Sequence, residues 1–543
     1  MAYTMDWDPD PQPGGCHLLT RRQLLSYTAV LTGTAAVAGC SGGETSSSAS
    51  TGSAGATGGS SGVLNYGEAG AFTTFNPWAQ KVVEQSVANQ VFSRLVYKTS
   101  DGKAVGDLAQ SWKTAPDGKS ITIKLRKGVK WHDGSHLVAH DFVTMYGYLS
   151  DPALKADSGV QKMTQLFEPV KAVKAPDSTT VVMEFKSPVP YVLDILDYWY
   201  AVKFPDPNDT NFFKHLPVGT GPFKMTKFTR NQSAQFEPNP DYYVKGEPKV
   251  GKFTFFVFGN GTNVVSNLKA GQVHGVLVSN PANVKGLKGD PTYTFTHARL
   301  GVWLVQINVS KPPFDKVEVR QALSYAMNRK QFAKVAHFGL ENPATSPFFT
   351  SAATGYVPDL VHAQAFDLKK AKSLLDSAGV HGLKIKLPVP SSHPNVQTMA
   401  QIWQSDLSKI GVSMSIHPVD DGKWINLGSG KDPNVDMVPW NVARCLQDGA
   451  VFFAANYGYT GGKLQPFGYK NPHMQKLIAM GASETDSAKR KKIYQELNRI
   501  VVHDAYNLST TTFSEVWAWS STVNGMDAGL AGNLMLADAS VQG

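Results

Sequence analysis

Residues 41–62 consist almost wholly of Ser, Gly, Thr and Ala, with Glu44 as their single charge, and a segment of that composition cannot bury enough apolar surface to fold. The tract therefore divides the sequence. Anything that folds lies beyond it, from about Val63 onward, and the residues ahead of it serve another purpose. Over the whole chain hydrophobic residues make up 42% and charged residues 17%, enough to build a packed core in the remainder. A chain of 543 residues is also long for one compact domain, so two or three lobes are expected.

The segment ahead of the tract reads as an address. Arg21 and Arg22 precede a modestly apolar stretch, Leu24 to Ala38, that is too short and too rich in Ala, Gly and Thr for a membrane-spanning helix. This is the pattern of a twin-arginine signal peptide over residues 1–39. Its end, Val37-Ala38-Gly39-Cys40, is similar to the bacterial lipobox, in which small residues admit the peptidase and the cysteine thiol takes the lipid. Cys40 is then the anchored first residue, and 40–62 form a tether with a span of roughly 25 Å when treated as a flexible coil. The folded part is expected on the extracytoplasmic face of the cell membrane, periplasmic or at the cell surface.

Several function classes drop out on composition and motif. Lys and Arg number 52 against 43 Asp and Glu, but no run concentrates the +9 excess, so no nucleic-acid groove is indicated. Cys16, Cys40 and Cys445 lack metal-ligand or redox spacing. No P-loop, dinucleotide fingerprint or H-E-x-x-H occurs, and the formal G-x-S-x-G at Gly58–Gly62 falls in the tether, without the strand and helix a nucleophile elbow needs. His132, His136 and His140 recur every four residues, but Asp133-Gly134-Ser135 breaks the helix that would align them. No enzyme, cofactor or metal is expected.

The remainder reads as mixed α and β. Ser120–Leu125 and Thr179–Phe185 alternate like half-buried strands and are joined through turn clusters such as Ala115-Pro116-Asp117-Gly118. Apolar residues at three- and four-residue intervals mark helices over Val319–Ala336, Leu368–Ala378 and Lys489–Asp504, with Gly379 as a stop. Gln397–Ile410, Gly411 and Val412–Ile416 form a helix, a glycine stop and a strand, half of a βαβ crossover.

Several separated blocks resemble, in order, the extracytoplasmic solute-binding proteins of the peptide, dipeptide and nickel class, family 5, that serve ABC importers. They are Ala109–Trp112 with Pro116–Lys119 and Leu125–Gly134; Gly219–Lys224 before Glu237–Tyr243; Asn308 with Pro312–Asp315 and Val319–Arg329; Lys370–Gly379; and Asn471–Ile478. The resemblance implies an α/β, two-lobed periplasmic-binding-protein-like fold (type II, cluster C) with an additional strand-rich subdomain. On this sequence it assigns 63–307 to the first lobe, with the inserted subdomain at about 93–205, 308–509 to the second lobe, and 510–543 to a return to the first. Lobe closure on the solute makes a surface that a permease distinguishes from the open form. The implied partners are a small-molecule or peptide ligand, permease and ATPase subunits, and the membrane through the lipid anchor, with the protein itself a monomer.

The resemblance also directs attention to ligand residues, and there the sequence departs from it. In peptide-binding relatives a second-lobe Trp is followed three residues later by an Asp that neutralises the peptide ammonium. Here Trp440 is followed by Asn441-Val442-Ala443-Arg444, so the acid is missing and a guanidinium stands beside the position, which favours carboxylate or phosphate. Asp448 is the substitute acid if the loop before Phe452 carries an insertion. Trp424 resembles a second aromatic wall of side-chain pockets. Trp78 either faces the cleft or caps a turn, and Trp303 lies beside the hinge strand, while Trp112 and Trp131 are expected to pack. An oligopeptide or peptide-like solute is the first expectation. An anionic or non-peptide solute or a metal chelate is the second, and a sensor or a catalytic reuse of the fold the third.

Overall fold

The computed structural model describes residues 62–70, 72, 75–78, 82–99, 102–151, 167–204, 216–259, 261–351, 353–428, 432–443, 448–457, 467, 469–529 and 534–542. Arg21, Arg22 and Cys40, and with them the signal and lipidation expectations, lie outside these residues, as does Arg444. Among the described residues no helix is long and apolar enough to cross a membrane.

Two long strands organise the rest. Tyr293–Ile307 and Asn507–Ser520 run antiparallel, paired from Tyr293 opposite Ser520 to Gln306 opposite Asn507, with irregularities between Arg299 and Gly301 and between Trp303 and Leu304. They sit in an eight-stranded mixed sheet whose order is Met437–Ala443, Tyr293–Ile307, Asn507–Ser520, Gly275–Leu277, Val63–Ala69, Lys252–Phe258, Ser233–Pro238 and Phe223–Thr229. Because side chains alternate along a strand, each long strand feeds cores on both faces, and different cores at its two ends. Trp517 and Trp519 enter one core of the first half while Val516 and Ala518 enter another. Toward the far end, Trp303, Val305 and Ile307 enter one core of the second half while Val302 and Leu304 enter its opposite. The molecule is accordingly a two-lobed α/β fold, with the chain passing between halves in these two strands.

A separate four-stranded antiparallel sheet, ordered Ala109–Thr114, Ser120–Leu125, Thr180–Phe185 and Val170–Asp177, joins the first half's core. The two strands read from alternation in this region are its central pair. In the second half, Lys384–Pro390 pairs parallel with Ser413–Val419 across the helix Pro394–Ser408, completing the strand–helix–strand unit half-read from sequence, and Gly411 takes φ +79° where the helix gives way to the strand. One helix departs from expectation. The Val319–Ala336 periodicity is broken into a helix over Val317–Tyr325, a short helix over Arg329–Gln331 and a π turn over Phe332–Ala336. The cause is Asn328, whose side-chain oxygen accepts from the Gln331 N–H and starts a new helix. The interruption turns Arg329 inward, where its guanidinium donates to the carbonyls of Ser509, Ser324 and Gln364 and to the Ser324 hydroxyl.

The block Gly219-Thr220-Gly221 has a steric reason for its glycines. A Cβ on Gly219 would lie 2.0 Å from the Val91 carbonyl oxygen, and one on Gly221 2.6 Å from the same atom. The missing side chains let the Gly221 N–H donate to that oxygen at 2.8 Å. His132 meets the same turn, its Nε2 donating to the Gly221 carbonyl at 3.0 Å. His132 is thus tied to this turn, while His136 and His140 are exposed.

The second long strand is braced where it crosses. The buried His337 pairs with the Thr511 hydroxyl at 3.1 Å, and the buried Glu341 accepts from the Thr512 hydroxyl, from the Ser514 N–H at 2.9 Å and from the Ser514 hydroxyl at 3.1 Å. Burial holds His337 down to about 4, and burial likewise holds His132 down to about 4. The unfolded chain therefore takes up these protons as pH falls through about 6.5, while the folded chain refuses them until about 4. Stability should fall on acidification across that window, each histidine withdrawing up to roughly 3 kcal/mol. His337→Gln keeps a hydrogen-bonding group but cannot titrate, so denaturant titrations should show a shallower pH slope for it. An unchanged slope would contradict this reading.

Candidate functional site

The site begins on the outer strand of the large sheet. Met437–Ala443 pairs antiparallel with Tyr293–Ile307, setting Trp440 opposite Leu304 and Asn441 opposite Trp303. Trp440 is only half-buried and packs against both cores of the second half. Beside it the helix Asp421–Gly428 presents Trp424, 7% exposed, with its ring centroid 4.7 Å from that of Trp440. The Trp424 indole N–H donates to the Pro439 carbonyl at 2.7 Å, which fixes the helix against the strand. Gly428 is needed one turn further on, because a Cβ there would stand 2.3 Å from the Trp440 ring.

The aromatic surface continues. His393 lies 5.3 Å from Trp424 and 5.5 Å from Trp303, centroid to centroid, and Trp303 meets Phe513 edge-on at 5.5 Å. Phe513 packs against cores of both halves. Ser392 donates to the Asp421 carboxylate and pairs with His393 Nδ1, which ties the start of the helix Pro394–Ser408 to the helix that carries Trp424. Burial lowers the His393 pKa, with Asp421 opposing, so the ring is neutral at pH 7 and presents an uncharged face. Three of the tryptophans singled out in the sequence, Trp303, Trp424 and Trp440, thus form one strip through His393, running from the edge strand to the crossing point.

Behind Trp303 lies a cavity of about 20 Å³, lined by Met327, Phe332, Met399 and Trp403 among others. It holds one water-sized object at most.

The remaining candidates named from the sequence are placed differently. Trp78 is 0% exposed in the first half's core, its ring 6.2 Å from that of Tyr148 and its indole N–H on the Tyr198 carbonyl at 3.2 Å. Its backbone N–H donates to Asn76 Oδ1 at 2.9 Å. Trp78 thus packs within the first half's core, at a turn held by the Asn76 side chain. Trp131 is likewise buried, donating to Asp141 at 3.2 Å, and Asp141 also accepts from the Val138 N–H at the start of the helix Ala139–Ser150. Asp448 is buried with both oxygens engaged. One accepts from the Ala450 N–H at 2.9 Å, in the first turn of the helix Gly449–Tyr457, and the other pairs with Arg490. Spacing could not reveal His393, Phe513 or Arg490, since their partners lie far away in sequence. The one local hint was Pro394 directly after His393, a helix-start signal that fixes where the ring sits.

Comparison with known proteins gives a consistent picture. The family model described as bacterial extracellular solute-binding proteins, family 5 Middle, matches residues 103–463. The chain is 26% identical over 449 residues to di/tripeptide-binding protein 1 of Pseudomonas aeruginosa, covering 77% of this chain and 82% of that one. It is 27% identical over 472 residues to the dipeptide-binding protein of Escherichia coli, covering 81% and 87%. Among solved structures, a dipeptide-binding protein from a Pseudoalteromonas species in complex with Met-Leu superposes with a TM-score of 0.77 at 23% identity, covering 89% and 100%. The binding protein AgaA of A. tumefaciens in complex with agropinic acid gives 0.76 at 24%, covering 89% and 99%.

Replacing Trp424 by Phe keeps the ring but removes the donor to Pro439. The stranded carbonyl should cost about 1–3 kcal/mol of unfolding free energy, read by chemical denaturation. A loss below a few tenths of a kcal/mol would show that the bond does not hold the helix on the strand.

Proposed function

The chain belongs to the bacterial extracellular solute-binding proteins of family 5, and from that premise we propose that it is a lipid-anchored extracytoplasmic receptor that captures an oligopeptide or peptide-like solute by lobe closure and delivers it to the permease of an ABC importer. The observation that carries the ligand reading is the aromatic strip, with the Trp424 and Trp440 rings 4.7 Å apart and Trp440 half-exposed at its outer end. Aromatic faces hold side chains of varied shape through burial and dispersion, which discriminate weakly between groups of similar size. That suits a receptor for peptides of many sequences, and the names of the relatives in Pseudomonas aeruginosa and Escherichia coli point the same way.

The division into lobes at 63–307, 308–509 and 510–543, with a subdomain at about 93–205, belongs to the same proposal. Core membership supports it: one set of buried residues runs to Leu300 and, with Val451 as its one member in between, resumes at Trp517, while another runs from Trp303 to Leu508. Both faces of a closing cleft must touch the solute, since a ligand shifts a conformational equilibrium only by its preference for one state. Arg21, Arg22 and Cys40 supply export and anchoring in this reading. The protein acts as a monomer and itself hydrolyses nothing, the work of import falling to ATPase subunits on other chains.

A second reading has its own observation. With Asp448 held by Arg490 and by a helix N-terminus, a peptide ammonium would have to displace an existing partner, and this favours an anionic or non-peptide solute. The AgaA complex with agropinic acid is a fold relative with such a ligand. The two readings separate in one screen. Thermal shifts of the purified protein against Met-Leu and longer peptides should show stabilisation approaching about 2.7 kcal/mol at a hundredfold excess over the dissociation constant, and Trp440→Ala should weaken calorimetric affinity at least tenfold without lowering the melting temperature much. A response to organic acids or metal chelates with none to peptides would select the second reading, and unaltered affinity in Trp440→Ala would remove the strip from the site.

A further inference from the structure

The halves also meet at a second place. On the first-half side is the short helix Val192–Asp197 with Tyr191 before it; on the second-half side are Asp448, the helix Gly449–Tyr457 and the helix Ser487–Asp504. Tyr191 packs against the first half's core and against a second-half core that includes Phe452, Phe453 and Tyr494. Val451 does the reverse, leaving its helix neighbours to join the first half's core. Close by, a Cβ on Gly118 would stand 3.1 Å from the Thr485 methyl group. Asp194 sits three residues after Tyr191, and Asp448 three residues before Val451. Both carboxylates therefore belong to the surfaces that these two residues hold together.

Among the described residues, the charged groups around this contact are paired as follows. Lys98, from the strand Val96–Lys98, pairs with Asp194. Asp197, on the same short helix, pairs with Arg94 at 3.1 Å. Asp448 pairs with Arg490, and Tyr494 lies on the same helix as Arg490. Each acid thus has a cation partner, Lys98 for Asp194 and Arg490 for Asp448, and both acids are buried at the boundary. Each acid keeps its own cation on its own half when the halves part, so the element created by contact is the meeting of two negative charges away from water. Such a pair is relieved by a proton on one member.

We propose that closure of the two halves is coupled to proton uptake at Asp194, because the movement brings its carboxylate against Asp448 in a buried boundary. The proposal rests on the lobe-closure reading above and adds that closure is favoured by acid. Burial pushes the Asp194 carboxyl up to about 6, against Lys98 and with Asp448 and Asp197 adding to the rise. Parting the halves removes Asp448 and part of the burial, so the open form binds this proton less tightly. The closed form thus gains on the open one as pH falls through about 6 toward the usual carboxylate range, and the coupling disappears above it.

The test places nitroxide-bearing unnatural amino acids at the exposed Lys119 and Ser487, flanking the Gly118–Thr485 contact, in the full chain. Pulsed-EPR distances are read without added solute and with Met-Leu, at about pH 7.5 and about pH 5. The ratio of short to long distances without solute should rise roughly five- to tenfold on acidification. Asp194→Asn should hold that ratio constant. So should Lys98→Met combined with Asp194→Asn, which leaves no buried ammonium without its carboxylate and guards against a folding defect. A wild-type ratio that ignores pH, or a rise that survives in both variants, would overturn the coupling. A single distance under every condition would instead overturn lobe closure itself, so the two failures are distinguishable.

Discussion

The pairing of Tyr293–Ile307 with Asn507–Ser520 is the constraint from which the rest of the molecule follows. Two antiparallel strands of this length cannot lie within one core, and their alternating side chains commit them to both faces of a sheet. The sequence meets that demand by giving each end its own apolar partners: Trp517 and Trp519 toward one half, Trp303, Val305 and Ile307 toward the other. Between these ends the strands carry Ser509, Thr510, Thr511 and Thr512, all buried, and Ser514, partly buried. The hydroxyls of Thr511, Thr512 and Ser514 are bound by His337 and Glu341. This polar, hydrogen-bonded stretch between two apolar anchorages is the segment on which the proposed closure of the halves would act.

That architecture decides where a solute can be recognised. The aromatic strip reaches from Trp440 on the edge strand, through Trp424 and His393, to Trp303 and Phe513 at the crossing. It has backbone anchors on one side, such as the Trp424 bond to Pro439, and half-exposed rings on the other. The cavity behind it is too small for more than a water. The strip itself is built from ring contacts, while the ion pairs Arg490–Asp448 and Lys98–Asp194 lie at the second meeting place of the halves.

How far the sequence revealed this differs from one element to the next. Alternation alone placed Ser120–Leu125 and Thr180–Phe185, because a half-buried hairpin strand writes its two faces directly into neighbouring residues. Helical periodicity read over Leu368–Ala378 and Lys489–Asp504 matches the helices Leu368–Ser377 and Ser487–Asp504, yet it ran through Asn328, whose side chain restarts the helix by a local hydrogen bond that hydrophobic spacing does not register. Trp424 and Trp440 were legible through a family pattern, and the structure brings them to 4.7 Å. Trp78 shows the opposite: a tryptophan in an Asn-Pro-Trp turn looks the same in sequence whether it faces a cleft or a core, and only tertiary packing against Tyr148 and Tyr198 separates the two. Asp448 was picked out as an acid near the expected place, but its commitment to Arg490 depends on a residue far along the chain. Arg444 lies outside the described residues, while Asn441 stands opposite Trp303 on the edge strand.

The measurement that bears most directly on capture between the halves is a crystal structure of the protein grown with Met-Leu, or with the solute it retains through purification. Density for the solute is expected between the two halves, with one side on the outer face of Trp440 and the other on residues of the first half. Solute lying wholly inside one core, or on an outer face remote from both long strands, would contradict it.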